Sequence, residues 1–270
     1  MGVKLLAVVA AAAALAGGSP GARYLESHQA PGGGFAEAGR AADPTTTAWA
    51  TLGLVAAGGS PAVEPARAYL AGVESSRTTQ TDLALNLLAR AAAGERPEAA
   101  LDRLAAARPG PLVNATIWTI LALRQAGRPA PLALVKALRA ALRPSGGWSW
   151  TKAGAPDSND TAAAIQALRA AGVQGRPVDR AVAYLRARQG RDGGFALSAG
   201  RASDAQSTAW AIQALLAAGR KPGAASYRFL ARMRRADGSY RYSAAYATTP
   251  VWVTSQVLPA LAGRPFPLRP

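Results

Sequence analysis

Six glycines constrain this chain more than any other feature. Gly58, Gly94, Gly127, Gly172, Gly219 and Gly263 recur at spacings of 36, 33, 45, 47 and 44 residues. Each ends a mostly apolar segment, from TTTAWATLGLVAAG in the first to PVWVTSQVLPALAG in the last. Glycine accommodates the left-handed backbone that terminates a helix. Pro61, Pro97, Pro131, Pro177 and Pro222 then follow, at or near the first turn of a new helix, where a missing N–H is harmless. A period in this range means one supersecondary unit per repeat. The pattern therefore predicts an all-α chain of about six helical hairpins.

The two helices of each hairpin differ. The second is amphipathic and Arg-rich, as in PVDRAVAYLRARQ, where Arg180, Arg186 and Arg188 should face water and Val182, Ala183 and Leu185 should pack inward. The first has little polar surface on any side, so these helices should form an inner layer. Successive helices alternate in direction, so all inner helices run parallel and their N-termini gather at one rim. The periods alone also fit an open helical solenoid. In the first repeat, Tyr24 precedes Phe35 by eleven residues as Tyr184 precedes Phe195. That places an outer helix at Pro20 to His28 with Ser19 as its N-cap.

Composition removes several chemistries. There is no cysteine and one histidine, His28, which argues against disulfides, thiol nucleophiles, thiolate or His-based metal sites and a Ser-His-Asp triad. The net charge is +16, with 27 of the 31 basic residues arginine. They recur along the whole chain instead of forming one stripe, which argues for a solvated basic surface and against a nucleic-acid partner. No cofactor is implied. The N-terminal stretch MGVKLLAVVAAAAALAGG has one basic residue, Lys4, and an apolar run from Leu5 to Ala16. The run is shorter than the roughly 20 residues of a membrane span. It reads as a signal peptide over residues 1–16, with an uncleaved first helix as the other reading. The remainder divides into one domain, 17–263, and a C-terminal tail, 264–270.

Between outer and inner helices lie the loops QAPGGGF, SGGW, QGRDGGF and ADGSY. The third of these, Gln189 to Phe195, resembles the Q-x-x-D-G-x-F/W signature of squalene–hopene cyclases. The others are degenerate copies. The chain is thus similar to the terpenoid-cyclase/protein-prenyltransferase repeat superfamily, a resemblance carried by four loops and six hairpins over the whole mature chain. It implies a closed α/α toroid with parallel inner helices around a central cavity. The α-domain of cobalamin carriers is similar too. Prenyltransferases of this fold hold zinc with Asp, Cys and His, which this chain cannot do. The cyclases protonate an alkene with the middle acid of D-x-D-D-T-A, and the matching stretch is Asp157, Ser158, Asn159, Asp160, Thr161, Ala162. The resemblance puts an amide, Asn159, at the proton-donating position, and an amide cannot act as that acid.

Asp157 and Asp160 are the catalytic candidates, yet small polar or acidic residues recur at the same places in other repeats. Counting back fifteen residues from the glycines gives Asp43, Thr79, Leu112, Asp157 and Asp204. Capping and the helix dipole favour such residues there. Ligand contacts are expected from Trp49, Trp118 and Trp210, nine residues before their glycines, from Trp252 near the equivalent place, and from Trp148, Trp150, Tyr242 and Asp204 at the rim. Three functions follow. The first is an exported, non-catalytic toroid that binds an apolar or flat ligand, polyisoprenoid or corrinoid-like, in its cavity. The second is an enzyme, terpene-cyclase-like or polysaccharide-active, using Asp157, Asp160 and Asp204. The third is a protein-interaction module. If export occurs as read, N-terminal sequencing of the secreted protein should begin at Gly17; a start at Arg23 would contradict the reading, because it cuts the first outer helix.

Overall fold

The computed structural model describes residues 18–268; the export segment and its cleavage point lie outside them. Twelve α-helices make up the described residues. The inner helices are α2 (Pro44–Ala56), α4 (Gln80–Ala92), α6 (Val113–Gln125), α8 (Ser158–Ala170), α10 (Ala205–Ala217) and α12 (Pro250–Leu261). The outer ones are α1 (Pro20–Glu26), α3 (Val63–Gly72), α5 (Glu98–Ala105), α7 (Leu132–Ala140), α9 (Arg176–Arg186) and α11 (Ala224–Met233). Each inner helix packs on the next, and α12 packs on α2, so the ring is closed. This is an α/α toroid, not an open solenoid.

The first outer helix starts as its sequence indicates, with the Ala22 N–H donating to Ser19 Oγ at 3.2 Å, but it ends at Glu26, short of His28. In α9 the buried face is Val178, Ala181, Tyr184 and Leu185, while Ala183 is exposed. The aromatic ring of Tyr184 takes the inward position that alanine cannot fill.

Four loops staple neighbouring repeats by one repeated geometry. The N–H groups of Phe35, Trp148, Phe195 and Tyr240 donate to the hydroxyls of Thr47, Thr161, Thr208 and Thr254 at 2.8 to 2.9 Å. In each loop a glycine, Gly33, Gly146, Gly193 or Gly238, has φ between +86° and +93°. A Cβ at these positions would lie 2.3 to 2.7 Å from the carbonyl oxygens of Pro65, Arg180, Ala225 and Pro20 on adjacent outer helices. The signature glycine is therefore required both by backbone conformation and by close approach. Around Phe195 the loop forms a minimal antiparallel ladder, β1 (Phe195–Ala196) with β2 (Ser203–Asp204).

The ring closes at one seam. Gly53 of α2 lies against α12, where a Cβ would sit 2.7 Å from the Ser255 carbonyl oxygen. Above it, the Val251 and Trp252 N–H groups at the start of α12 donate to the Glu37 carboxylate at 3.1 and 2.8 Å. A side chain of the first loop thus caps the last inner helix.

The opposite end of the ring is filled. Residues 264–268, set apart in the sequence as a tail, run back against the C-termini of the inner helices. Phe266 and Leu268 are buried. The Phe266 N–H donates to Gln166 Oε1 at 2.8 Å, and Gln125 Nε2 donates to the Leu268 carbonyl at 2.9 Å. Arginines bridge the helix C-termini here: Arg124 Nε donates to the Ala170 carbonyl at 2.9 Å and Arg169 Nε to the Ala217 carbonyl at 3.0 Å. Cations at this rim complement the negative ends of six parallel helices.

The seam makes a prediction of unusual sign. Alanine normally stabilises a helix interior by about 1 kcal/mol relative to glycine, but at residue 53 the added methyl meets backbone. Gly53→Ala should instead destabilise by about 1–3 kcal/mol, measured by urea unfolding; equal or greater stability would show that the seam is not tightly packed.

Candidate functional site

The parallel inner helices end in a cavity of about 320 Å³ at their N-terminal rim. Its walls are Trp49, Trp118, Trp210 and Trp252, with Trp150 among the lining residues and half exposed. The first four tryptophans meet edge to face. Trp49 is the hub, with ring centroids 5.3 Å from Trp118, 5.7 Å from Trp210 and 6.0 Å from Trp252. Such pairs contribute about 0.5–1.5 kcal/mol each beyond burial. Below them Phe266 lies 6.2 Å from Trp49 and 5.8 Å from Trp210. The centre of the toroid is therefore packed with aromatic rings, and the open space is confined to the rim. Placing tryptophan nine residues before the helix-ending glycine puts it two turns below that rim, which is why the repeat brings these rings together.

The two acids of the D-x-D-D-T-A-like stretch are placed differently. Asp157 is the N-cap of α8, where its Oδ1 accepts from the Asp160 N–H at 2.8 Å. Asp43 and Asp204 cap α2 and α10 in the same way. Thr161, four residues after Asp157, is the staple threonine, as Thr47 follows Asp43 and Thr208 follows Asp204. The first acid and the threonine of the stretch are thus structural. Asp160 caps nothing. Its side chain is buried on the cavity wall, and Asn114 Nδ2 donates to its Oδ1 at 3.2 Å. Burial pushes its carboxyl up to about 8, and the negative charge of Asp157 adds to the shift. Burial also raises Asp157, against the hydrogen bonds it accepts from the Asp160 and Asn159 backbone. The two carboxyl groups belong to one helix turn, and the charge of Asp157 favours the protonated form of Asp160.

Other expected site residues lie elsewhere. Trp148 is fully buried behind α8, and its Nε1 donates to the Leu138 carbonyl at 2.7 Å. It is the plug of its staple, because the N–H bond to Thr161 turns the ring away from the lumen. Asp204 is buried as a cap, its Oδ2 accepting from Ser207 Oγ at 2.9 Å. Tyr242 packs beside it, hydrogen-bonded to Asp204, with burial first and then that carboxylate pushing the phenol up to about 12. Neither residue lines the cavity.

Several polar lining residues were not singled out in the sequence. Gln206 Nε2 and Trp210 Nε1 both donate to Gln256 Oε1, at 2.9 and 2.7 Å. Four lining residues, Asn159 of the cyclase-like stretch among them, each hold a buried polar atom with no protein partner: Thr81 Oγ1, Asn114 Oδ1, Asn159 Oδ1 and Gln256 Nε2. Their sequence signal was weak but present, since polar residues recur in the first turns of otherwise apolar inner helices.

No family model and no curated sequence matches the chain. Its fold is similar to that of solved structures. The type II terpene cyclase MstE from Scytonema has a TM-score of 0.68 and 18% identity, covering 90% of this chain and 95% of that one. Variants of MstE are solved with geranylgeranyl dihydroxybenzoate as substrate and with merosterolic acid A as product. Candida albicans protein geranylgeranyltransferase-I, complexed with GGPP, has a TM-score of 0.57 and 12% identity over 81% of this chain and 83% of that one. For ent-copalyl diphosphate synthase from Streptomyces platensis the values are 0.55 and 22%, over 82% of this chain and 50% of that one. The chain has the α/α-toroid fold that these terpene cyclases and the protein geranylgeranyltransferase show.

Asp160 makes a testable difference to stability. Its ordinary value is 3.8 and its folded value about 8. Between these the folded chain keeps a proton that the unfolded chain releases, so this contribution is full below pH 4 and is lost as the pH rises towards 8. Asp160→Asn mimics the protonated acid and keeps an oxygen that accepts from Asn114 Nδ2. The variant should match wild type at pH 4, exceed it by on the order of 1 kcal/mol at pH 8, and show a shallower pH slope in thermal unfolding. An unchanged slope, or a less stable variant at pH 8, would refute the buried neutral acid.

Proposed function

We propose that this chain is a non-catalytic binding toroid, exported from the cytoplasm, that holds a small, largely apolar or flat ligand with a hydrogen-bonding end in its rim cavity. The observation that carries this reading is the set of four unpartnered buried polar atoms on a tryptophan-walled cavity. Leaving a buried polar group unpaired costs about 1–3 kcal/mol, and side chains that turn to meet a ligand recover that free energy on binding. The lining matches what small-molecule sites need, apolar and aromatic walls with a few convergent polar groups. At about 320 Å³ the space lies at the lower end of ligand pockets, roughly 300–1,000 Å³. That favours a short isoprenoid or a few fused rings over a corrin buried whole.

A second reading is a terpene-cyclase-like enzyme, favoured by the acid pair on the cavity of a cyclase-like toroid. Two features weigh against it. The residue matching the proton-donating acid is Asn159. Asp160 beside it holds its proton up to about pH 8, which makes it a weak acid towards an alkene.

Titrating tryptophan fluorescence with farnesol tests the binding reading. Saturable quenching is expected for wild type. Ala163→Leu, which fills the cavity wall, should weaken it at least about tenfold, the order of 1.4 kcal/mol, while the chain stays folded. Asn159→Asp should give no product from polyprenes by gas chromatography. Product formation would restore the enzyme reading, and quenching unchanged in Ala163→Leu would move binding away from this cavity.

A further inference from the structure

We infer that the cavity selects an organic cation, an ammonium or other onium group carried on an apolar framework. The inference rests on the reading that this cavity binds a ligand, and it specifies the ligand's charge. The lining contains three acids, Asp82, Asp157 and Asp160, and no lysine, arginine or histidine. The chain as a whole has 31 basic residues against 15 acidic ones. A lining drawn from that composition would be basic, whereas this one is acidic.

Two independent features point the same way. Tryptophan faces attract cations, by about 0.5–1 kcal/mol at exposed sites and about 2 or more when desolvated, and five tryptophans line this space. The unpartnered atoms are also mostly acceptors. Asn114 and Gln256, respectively 3% and 2% exposed, offer one carbonyl oxygen and one amide nitrogen. Asn159 adds a second carbonyl oxygen, and Thr81 a hydroxyl that can accept.

One feature opposes the inference and has to be weighed. The N-termini of parallel helices favour anions, each by about 0.3–1 kcal/mol, and phosphates bind at free N–H groups there. Here several of those groups are engaged. Asp43, Thr79, Asp157 and Asp204 cap four inner helices, and Glu37 caps a fifth. The first-turn N–H groups of Asn114, Ser158 and Ala205 donate to the carbonyls of Trp150, Leu197 and Tyr242 at 3.2, 2.8 and 2.7 Å. A diphosphate headgroup would therefore meet no lysine, arginine or histidine in the lining, and several first-turn N–H groups already taken. The positive field of the whole chain falls off within about 10 Å at 0.1 M salt, so the local carboxylates dominate inside the cavity.

The decisive comparison uses three benzyl-based probes: benzyltrimethylammonium, its uncharged isostere neopentylbenzene, and the anion phenylacetate. Binding is measured by calorimetry and tryptophan quenching at pH 7.5. The ammonium should bind about tenfold tighter than neopentylbenzene, a gap of the order of 1.4 kcal/mol, and phenylacetate should not saturate. Asp82→Asn should move the ratio of the two affinities towards unity at pH 7.5, and Asp160→Asn should do so at pH 9, where the wild-type acid is ionised, with melting temperatures recorded to confirm folding. Ammonium affinity should also rise between pH 6 and 9. Asp160 loses its proton in that range, and the groups acting on it are Asp157 and the Asn114 amide, with Asp82 elsewhere in the same lining. Neopentylbenzene binding as tightly as the ammonium would overturn the cation preference and leave the apolar pocket standing. Tighter binding of phenylacetate would overturn it outright. Failure of all three to bind would remove both the pocket and its selectivity.

Discussion

Closing a ring of six hairpins requires the first and last inner helices to meet, although some two hundred residues separate them. The inner helices are apolar on nearly every side, so an open end would leave a whole helix face in water. The seam solves this with three contacts of different kinds. Gly53 lets α2 and α12 approach to backbone distance. Glu37 satisfies the N–H groups at the head of α12, which has no capping side chain of its own. On the outside, Gly238 packs on the Pro20 carbonyl of α1, so the outer layer closes with the inner one. Once the ring is shut, the inner N-termini converge and the rim becomes a site.

That convergence explains why one stretch, PDSNDTAAA, holds residues of such different roles. The capping acid and the staple threonine are four apart and recur as Asp43 with Thr47 and Asp204 with Thr208. Asp160 stands at the third helical position, where the first turn faces the lumen. The others at equivalent places are Thr46, Ala115 and Ser207, with Asp82 the only other acid. Two carboxyl groups three residues apart thus sit in one helix turn, one engaged with backbone and one with the cavity. Burial, more than their mutual repulsion, keeps the second protonated.

Much of this was legible before any coordinates. Glycine after an apolar run marks a helix end through local backbone physics, and the tryptophans nine residues earlier inherit a fixed height above it. Caps are local too, so Ser19, Asp43, Asp157 and Asp204 could be read as such. The loop aromatics could not be assigned so easily. Nothing local says whether Trp148 or Trp150, two residues apart, turns into the wall or the lumen, and only the Thr161 staple decides it. That staple had a signal, a threonine eleven residues before the glycine in four repeats, of which Thr47, Thr161 and Thr208 are staples because the preceding loop supplies a partner. Glu37 capping α12 and Gln125 holding Leu268 span the ring, and no spacing rule reaches that far.

The packed floor of the ring has a kinetic side. Phe266 touches the hub of the tryptophan cluster, yet it follows all six inner helices in the chain. The cluster itself joins residues from four different repeats, so its contacts have very large sequence separations, and loop-closure entropy must be met before any of them form. Individual hairpins can assemble locally and early, but the aromatic centre cannot be sealed from below until residues 264–268 have been made. During synthesis the growing toroid is therefore an unsealed arc, its apolar inner helices facing one another across a water-filled gap.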